Sequence, residues 1–281
     1  MKSRSAVAPF AVWMAIFTVV PLLIVVYFAF TDAAGHFTLG NIAAIGKYLP
    51  TYLDSIWMGA LATAICLVLA YPIALAISRR SEHVQRTMVM MIMLPMWMNF
   101  LLRTYAWMTL LEDKGLINQF LGLFGGSWHI INTSGAIVLG MVYNFLPFMI
   151  VPIYSVMAKL DHRIVEAAQD LGAGHWQVLR RVILPLSLPG IVSGVTMVFV
   201  PAVSTFVISK LLGGGTNMMI GDVIETMFLG NGNDYNVGAS LSLVLMVLML
   251  LSMSVMRRVD NGEDELGGMM ALKRSPGSTT H

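Results

Sequence analysis

The sequence predicts an all-α integral membrane protein with six transmembrane helices, on three observations. Hydrophobic residues make up 57% of the chain and charged residues only 11%, with a mean hydropathy of +0.76; soluble domains carry about twice that share of charge. Six stretches are apolar enough to cross a bilayer, which takes roughly 20 residues. Lysine and arginine crowd onto alternate connections, as they do in polytopic membrane proteins.

The first span, 8–30, follows Lys2 and Arg4 and so begins like a secretory signal. It is longer than a signal's apolar core and no small-x-small site follows it, so it reads as a retained helix. The remaining spans are 55–77, 88–111, 135–157, 188–209 and 237–256. Pro21, Pro95, Pro147 and Pro201 fall inside spans, where neighbouring helices can satisfy the freed backbone groups. One set of connections and termini holds thirteen basic residues, among them Arg79, Arg80, Arg86, Arg163, Arg180, Arg181, Arg257 and Arg258. The opposite set, 31–54, 112–134 and 210–236, holds three: Lys47, Lys114 and Lys210. That bias puts both termini in the cytoplasm. Within the outer connections, 116–124 reads as a short interfacial helix, and 213–215 and 230–234 as glycine-rich turns. Residues 1–259 form the membrane domain and 260–281 a polar, disordered cytoplasmic tail.

Several classes of function are disfavoured. The single Cys66 permits no intramolecular disulfide and reads as a small apolar filler. The 23 methionines are scattered without paired His or Cys, so they read as adaptable packing and not as a metal site. All six histidines fall in loops or tails and no H-E-x-x-H occurs, so an intramembrane enzyme lacks its parts. Asn132-Thr133-Ser134 matches a glycosylation sequon, a pattern common by chance. No paired carboxylates lie at mid-membrane, as a secondary transporter would require. A net charge of +2 marks no nucleic-acid partner.

The most informative segment is cytoplasmic, 159–190, reading KLDHRIVEAAQDLGAGHWQVLRRVILPLSLPG. Asp161 is a good N-cap for a helix running to Leu171. Ile164, Ala167, Ala168 and Leu171 fall at i, i+3, i+4 and i+7, an apolar stripe with a small-residue centre. Gly172 and Gly174 terminate it, a second helical segment spans 175–183, and Pro185 and Pro189 mark re-entry into the membrane. Such a hairpin could lie on anionic lipid, or fit a protein groove where backbones approach closely.

Glu166-Ala167-Ala168, three residues, Gly172, nine residues, then Val182-x-Leu184-Pro185 resembles the signature of MetI-like ABC importer permeases. The one departure is Val182 where the pattern prefers isoleucine. The resemblance implies a MetI-like fold whose coupling helix sits in a cleft of a separate cytoplasmic ATPase, with Glu166 paired to a basic group there. The chain has no G-x-x-x-x-G-K-[ST] phosphate loop. It therefore carries no cofactor of its own, and ATP and Mg²⁺ would bind the partner. The stretches 94–107, 142–161, 166–173 and 200–224 further resemble the B-type permeases of spermidine/putrescine importers. That implies a homologous second permease, two copies of the ATPase, a periplasmic or lipid-anchored substrate-binding protein, and a bacterial inner-membrane location. Permeases for an inorganic anion, iron or a sugar share parts of this texture, and a membrane receptor or scaffold is a remoter alternative.

Pathway candidates are polar or aromatic residues at membrane depth. Met96, Asn99, Arg103 and Trp107 fall on one helical stripe of the third span. Arg103 would face the bundle interior or a wet cavity, or else reach the interface or backbone carbonyls. Since a polyamine should avoid a bare arginine, aromatic faces at Trp97, Tyr105, Trp107 and Tyr143 would serve the cation. Carboxylates at the outer face, Glu112, Asp113, Asp222, Glu225 and Asp234, would help. Ser204, Thr205 and Ser209 on the fifth span either bond within the bundle or line the pathway.

Overall fold

The computed structural model describes residues 9–10, 12–32, 34–123, 129–230 and 234–273; Lys2, Arg4, the turn residues 231–233 and the tail residues 274–281 lie outside them. The chain is nearly all helix. Helix α1 (Val12–Ala29) leads through a turn closed by the Thr31–Phe37 bridge, and the short helix Gly40–Ala44, into α2 (Leu49–Ser78). Then come α3 (Glu82–Met93), α4 (Phe100–Leu111), α5 (Leu116–Gly122), α6 (Ser134–Met157) and α7 (His162–Asp170). The chain ends with α8 (His175–Ser204), α9 (Val207–Leu212), α10 (Ile220–Leu229) and α11 (Tyr235–Lys273).

The core is the triangle of α2, α6 and α8. Apolar residues gain nothing by leaving lipid for one another, so close packing must hold membrane helices together. Accordingly α2 turns a small-residue edge inward: Ala62, Cys66, Ala70 and Ala74, spaced by four, are fully buried. Met141, Met149 and Ile153 of α6 and Val198 and Ala202 of α8 fill the opposing space. Backbones touch most closely at Gly190 of α8, where a Cβ would lie 2.9 Å from the Pro152 carbonyl oxygen and 3.0 Å from Ile153 Cα. The peripheral α1 packs against α11 and leaves most of its apolar surface outward.

Five expected spans are continuous helices long and apolar enough to cross a membrane. The third is not: 82–97 and 100–122 meet at an 86° bend. Pro95 lacks an N–H, Met98 is extended (φ −74°, ψ 148°), and the Asn99 side chain accepts the Leu101 N–H at 2.8 Å, starting a new helix. The expected stripe through Met96, Asn99, Arg103 and Trp107 is therefore broken; only Arg103 and Trp107 share one helix.

The fifth span is displaced as well. It starts at His175, without a stop at Pro185 or Pro189, and ends at Ser204, where Thr205 is extended (ψ 143°). Ser209 sits in the separate α9. A π-helical turn, Leu179–Ile183, absorbs Pro185: it widens the helix around Arg181, whose carbonyl the proline ring would otherwise strike. The same device, Ala15–Val19, precedes Pro21.

Two further differences concern the connections. Helix α10 occupies part of the third outer connection, which reads as turn and hinge. Helix α11 runs on through 260–273, so that part of the segment read as a disordered tail is helical. Glu263, Glu265, Leu266, Met269, Met270, Ala271 and Leu272 are strong helix formers, and no proline intervenes before Pro276.

Candidate functional site

The hairpin that follows α6 is built by local signals. The Asp161 carboxylate accepts the Arg163 N–H at 3.0 Å and starts α7. At the other end Gly172 adopts φ +82°. The Ala173 N–H reaches the Ala168 carbonyl at 3.1 Å and the Gly172 N–H the Gln169 carbonyl at 2.8 Å, the paired bonds of a Schellman cap. A Cβ on Gly172 would meet nothing within 4 Å, so only the backbone conformation demands glycine there. The Gly174 N–H then donates to Gln177 Oε1 at 3.1 Å, opening the next helix.

This hairpin is pinned on one side and bare on the other. Val165 and Ala168 pack against the bundle, while Ile164, Glu166, Ala167 and Leu171 are exposed. Leu171 is 89% exposed and Trp176 72%, and the exposed Glu166 carboxylate has no ion pair or hydrogen bond among the described residues. The predicted stripe thus divides: Ala168 turns inward, and Ile164, Ala167 and Leu171 face away from the chain's own core. Leu184 and Pro185 are exposed in the first turn after the π-helix.

The body holds this end firmly. Gln85 donates to the Ser78 carbonyl at 3.1 Å and the Arg80 carbonyl at 2.7 Å, and accepts from the Tyr154 hydroxyl at 2.9 Å. One amide so ties the end of α2 and its following turn to α6.

At the opposite end of the bundle the candidate pathway residues separate. Ser204 and Glu225 line one cavity of about 420 Å³, with Phe206, Gly221 and Met246. Glu225 also borders a cavity of about 40 Å³ with Asp222, Ser209 and Lys210. Lys210 Nζ donates to both Glu225 carboxylate oxygens at 2.8 Å. Asp222, expected at or beyond the outer face, is buried: Oδ2 accepts the Met219 N–H at 2.8 Å, and Oδ1 has no hydrogen-bond partner among the described residues. Burial pushes its carboxyl above the usual range, opposed by the nearby Ser209 hydroxyl and the Met219 N–H.

The third-span residues take other places. Trp97 is exposed at the bend, Asn99 is spent on its cap and Tyr105 is exposed. Trp107 and Tyr143 meet edge to face, centroids 5.2 Å apart. Arg103 is buried, its Nε without an acceptor among the described residues; it lines neither of these cavities. Sequence reasoning missed Asp54 and Trp57, which sit on α2 at the edge of a span and line a cavity of about 1020 Å³. Their i, i+3 spacing ahead of an apolar run was the available signal.

Comparison with known proteins gives three concordant findings. Residues 42–263 match the profile of the binding-protein-dependent transport system inner membrane component. The chain is 37% identical over 254 residues to the spermidine/putrescine transport system permease protein PotB of Salmonella typhimurium (strain SL1344), covering 86% of this chain and 88% of that one. It is 37% identical over 259 residues to the PotB of Haemophilus influenzae, covering 88% and 90%. Among solved structures, a bacterial ABC transporter involved in import of the acidic polysaccharide alginate superposes with a TM-score of 0.72 at 18% identity, covering 91% of this chain and 95% of that one. A chain of the inward-facing MetNI methionine ABC transporter superposes at 0.54 and 16% identity, covering 76% and 94%. At such identities the structures speak to fold alone.

Proposed function

We propose, on the premise that the chain belongs to the binding-protein-dependent transport system inner membrane component family, that it is the permease subunit of an ATP-driven polyamine importer. The observation that carries the substrate is the 37% identity, across 86% of the chain, to a permease named for spermidine and putrescine. The protein is a multi-pass component of the inner membrane, its hairpin and both termini in the cytoplasm. A homologous second permease completes the pathway, two copies of an ATPase dock below, and a binding protein delivers substrate from outside. ATP and Mg²⁺ reside on the ATPase.

The hairpin is the coupling element. Its exposed Ile164, Ala167 and Leu171 offer an apolar face that no described residue covers, and Glu166 on the same helix offers a charge unpaired among the described residues. The Gly172 cap fixes the angle between α7 and α8, and Leu184 and Pro185 lie within α8, which runs from the hairpin into the membrane without a break. Movement of the ATPase cleft is thereby imposed on α8.

At the outer end Ser204, Asp222 and Glu225 form a cation station. Lys210 is an alkylammonium tethered to the chain, and it occupies the Glu225 carboxylate much as a polyamine terminus would. Substrate would displace it, leaving the buried Asp222 oxygen as a second acceptor. The aromatic residues Trp97, Tyr105, Trp107 and Tyr143, the polar Asn99 and the buried Arg103 belong to the third span and its neighbour and line neither cavity of this station.

The test is uptake of labelled spermidine and putrescine by the reconstituted complex in proteoliposomes. Saturable uptake of an anion or a sugar instead would remove the polyamine reading and leave the permease standing. Glu166→Lys should cut ATP-driven uptake with insertion and assembly intact, and Glu225→Gln should cut it with ATPase docking intact. Normal uptake by either variant removes the role given to that residue.

A further inference from the structure

The cavity of about 1020 Å³ between α2, α6 and the 215–218 loop is used by nothing described so far. We infer that it is an alkylammonium subsite in which Asp54 and Trp57 receive a terminal amine of the polyamine ahead of the Lys210–Glu225 station; this rests on the polyamine reading above.

Its size lies at the top of the range for small-molecule sites, roughly 300–1,000 Å³. Its chemistry is graded. Along the groove α2 contributes the apolar Leu61, Ile65 and Leu69, while Thr51, Asp54, Ser134 and Asn217 make its polar part. Asp54 is the single charged residue lining it, is exposed, and forms no hydrogen bond or ion pair among the described residues. Trp57, one turn on and 69% exposed, adds an aromatic face on the same side of the helix. An unpaired carboxylate beside an indole suits an ammonium group, by charge and by attraction to the ring face.

The polar part is held in place before any ligand arrives. Ser134 Oγ donates to Asn217 Oδ1 at 3.3 Å, Asn217 Nδ2 to the Asn132 carbonyl at 3.1 Å, and the Asn132 N–H to the Leu212 carbonyl at 2.8 Å. The cavity also adjoins the station already described. Gly215, Asn217 and Met218 line both it and the small cavity of Asp222, Glu225 and Lys210, so one loop wall separates two carboxylate sites. Ser55, next to Asp54, accepts the Ile220 N–H at 2.8 Å and so anchors the start of the helix that carries Asp222.

An apolar helix of the second permease seated along the groove would cover the Asp54 carboxylate without giving it a partner, a cost that a cation avoids. The ammonium is the better complement.

Binding of labelled spermidine to the assembled complex, without the binding protein, tests this by equilibrium dialysis. Asp54→Asn should weaken binding roughly ten-fold, the loss of one charged contact, and Asp54→Glu should restore most of it. Trp57→Ala should weaken binding where Trp57→Phe does not, and added salt should weaken the wild type more than Asp54→Asn. Unchanged affinity in Asp54→Asn overturns the inference. So does loss of the second permease from both Asp54 variants, which would make the cavity a subunit contact. If the wild-type complex binds no spermidine, the subsite falls; its uptake of spermidine then decides whether the polyamine reading falls with it.

Discussion

Replacing Gly172 with alanine should loosen the hairpin after α6 without disturbing the bundle. Gly172 is held at φ +82°, and a Cβ added there would meet nothing within 4 Å. Neighbour clash therefore contributes nothing, and the cost is that of a left-handed L-residue, about 1–2 kcal/mol. That strain falls on two hydrogen bonds, from residue 172 to Gln169 and from Ala173 to Ala168. Hydrogen exchange at those two amides should quicken by a factor of about 5–30. Asparagine, which tolerates this backbone region better, should give a smaller change. Amides of the α2–α6–α8 core should not respond. In proteoliposomes the alanine variant should move less substrate per ATP hydrolysed, because the angle between α7 and α8 is no longer fixed. Wild-type protection at residues 172 and 173 in Gly172→Ala, or a larger effect from asparagine than from alanine, would refute this reasoning.

Two other substitutions separate close packing and buried charge. Gly190→Ala pushes a Cβ against the backbone of Pro152 and Ile153 and should lower unfolding stability in detergent by about 1–3 kcal/mol, whereas Gly46→Ala, with open space around it, should stay within about 0.5 kcal/mol. For Asp222 burial raises the folded-state pKa, so its ionised form is disfavoured in the fold; stability is greatest below the unfolded value and declines as pH rises through the folded one. Asp222→Asn keeps an acceptor for the Met219 N–H and removes that decline. Thermal midpoints of the two proteins should converge at acidic pH and separate toward neutrality; a constant offset across the range would count against the buried carboxylate.

How much was legible in the sequence depended on how local the cause was. The fourth span, expected at 135–157 and found at Ser134–Met157, is a long apolar run begun by a Thr133 cap. The Asp161 cap and the Gly172 stop are equally local, and both lie where expected. The break at Asn99 was written in Pro95 and in a capping residue, yet averaging hydropathy over a span hides one polar position among many apolar ones. Asp222 reads as a loop carboxylate because its burial depends on Ser209 and Met219, contributed from outside its own helix. The Asp54 cavity was the least legible, since three separate segments must meet before it exists.

Helix α8 has one mechanical property beyond its role as a span. It is 30 residues in a single run, about 45 Å from the hairpin to the Thr205 break. Gly190, where it touches the α6 backbone most intimately, stands near its midpoint. A helix that moves as one body against a support at its centre behaves as a see-saw. A tilt of ten degrees about that fulcrum would carry each end about 4 Å, in opposite directions. A push received at Trp176 would reach Ser204 with its sense reversed, so that one mouth of the bundle narrows as the other widens.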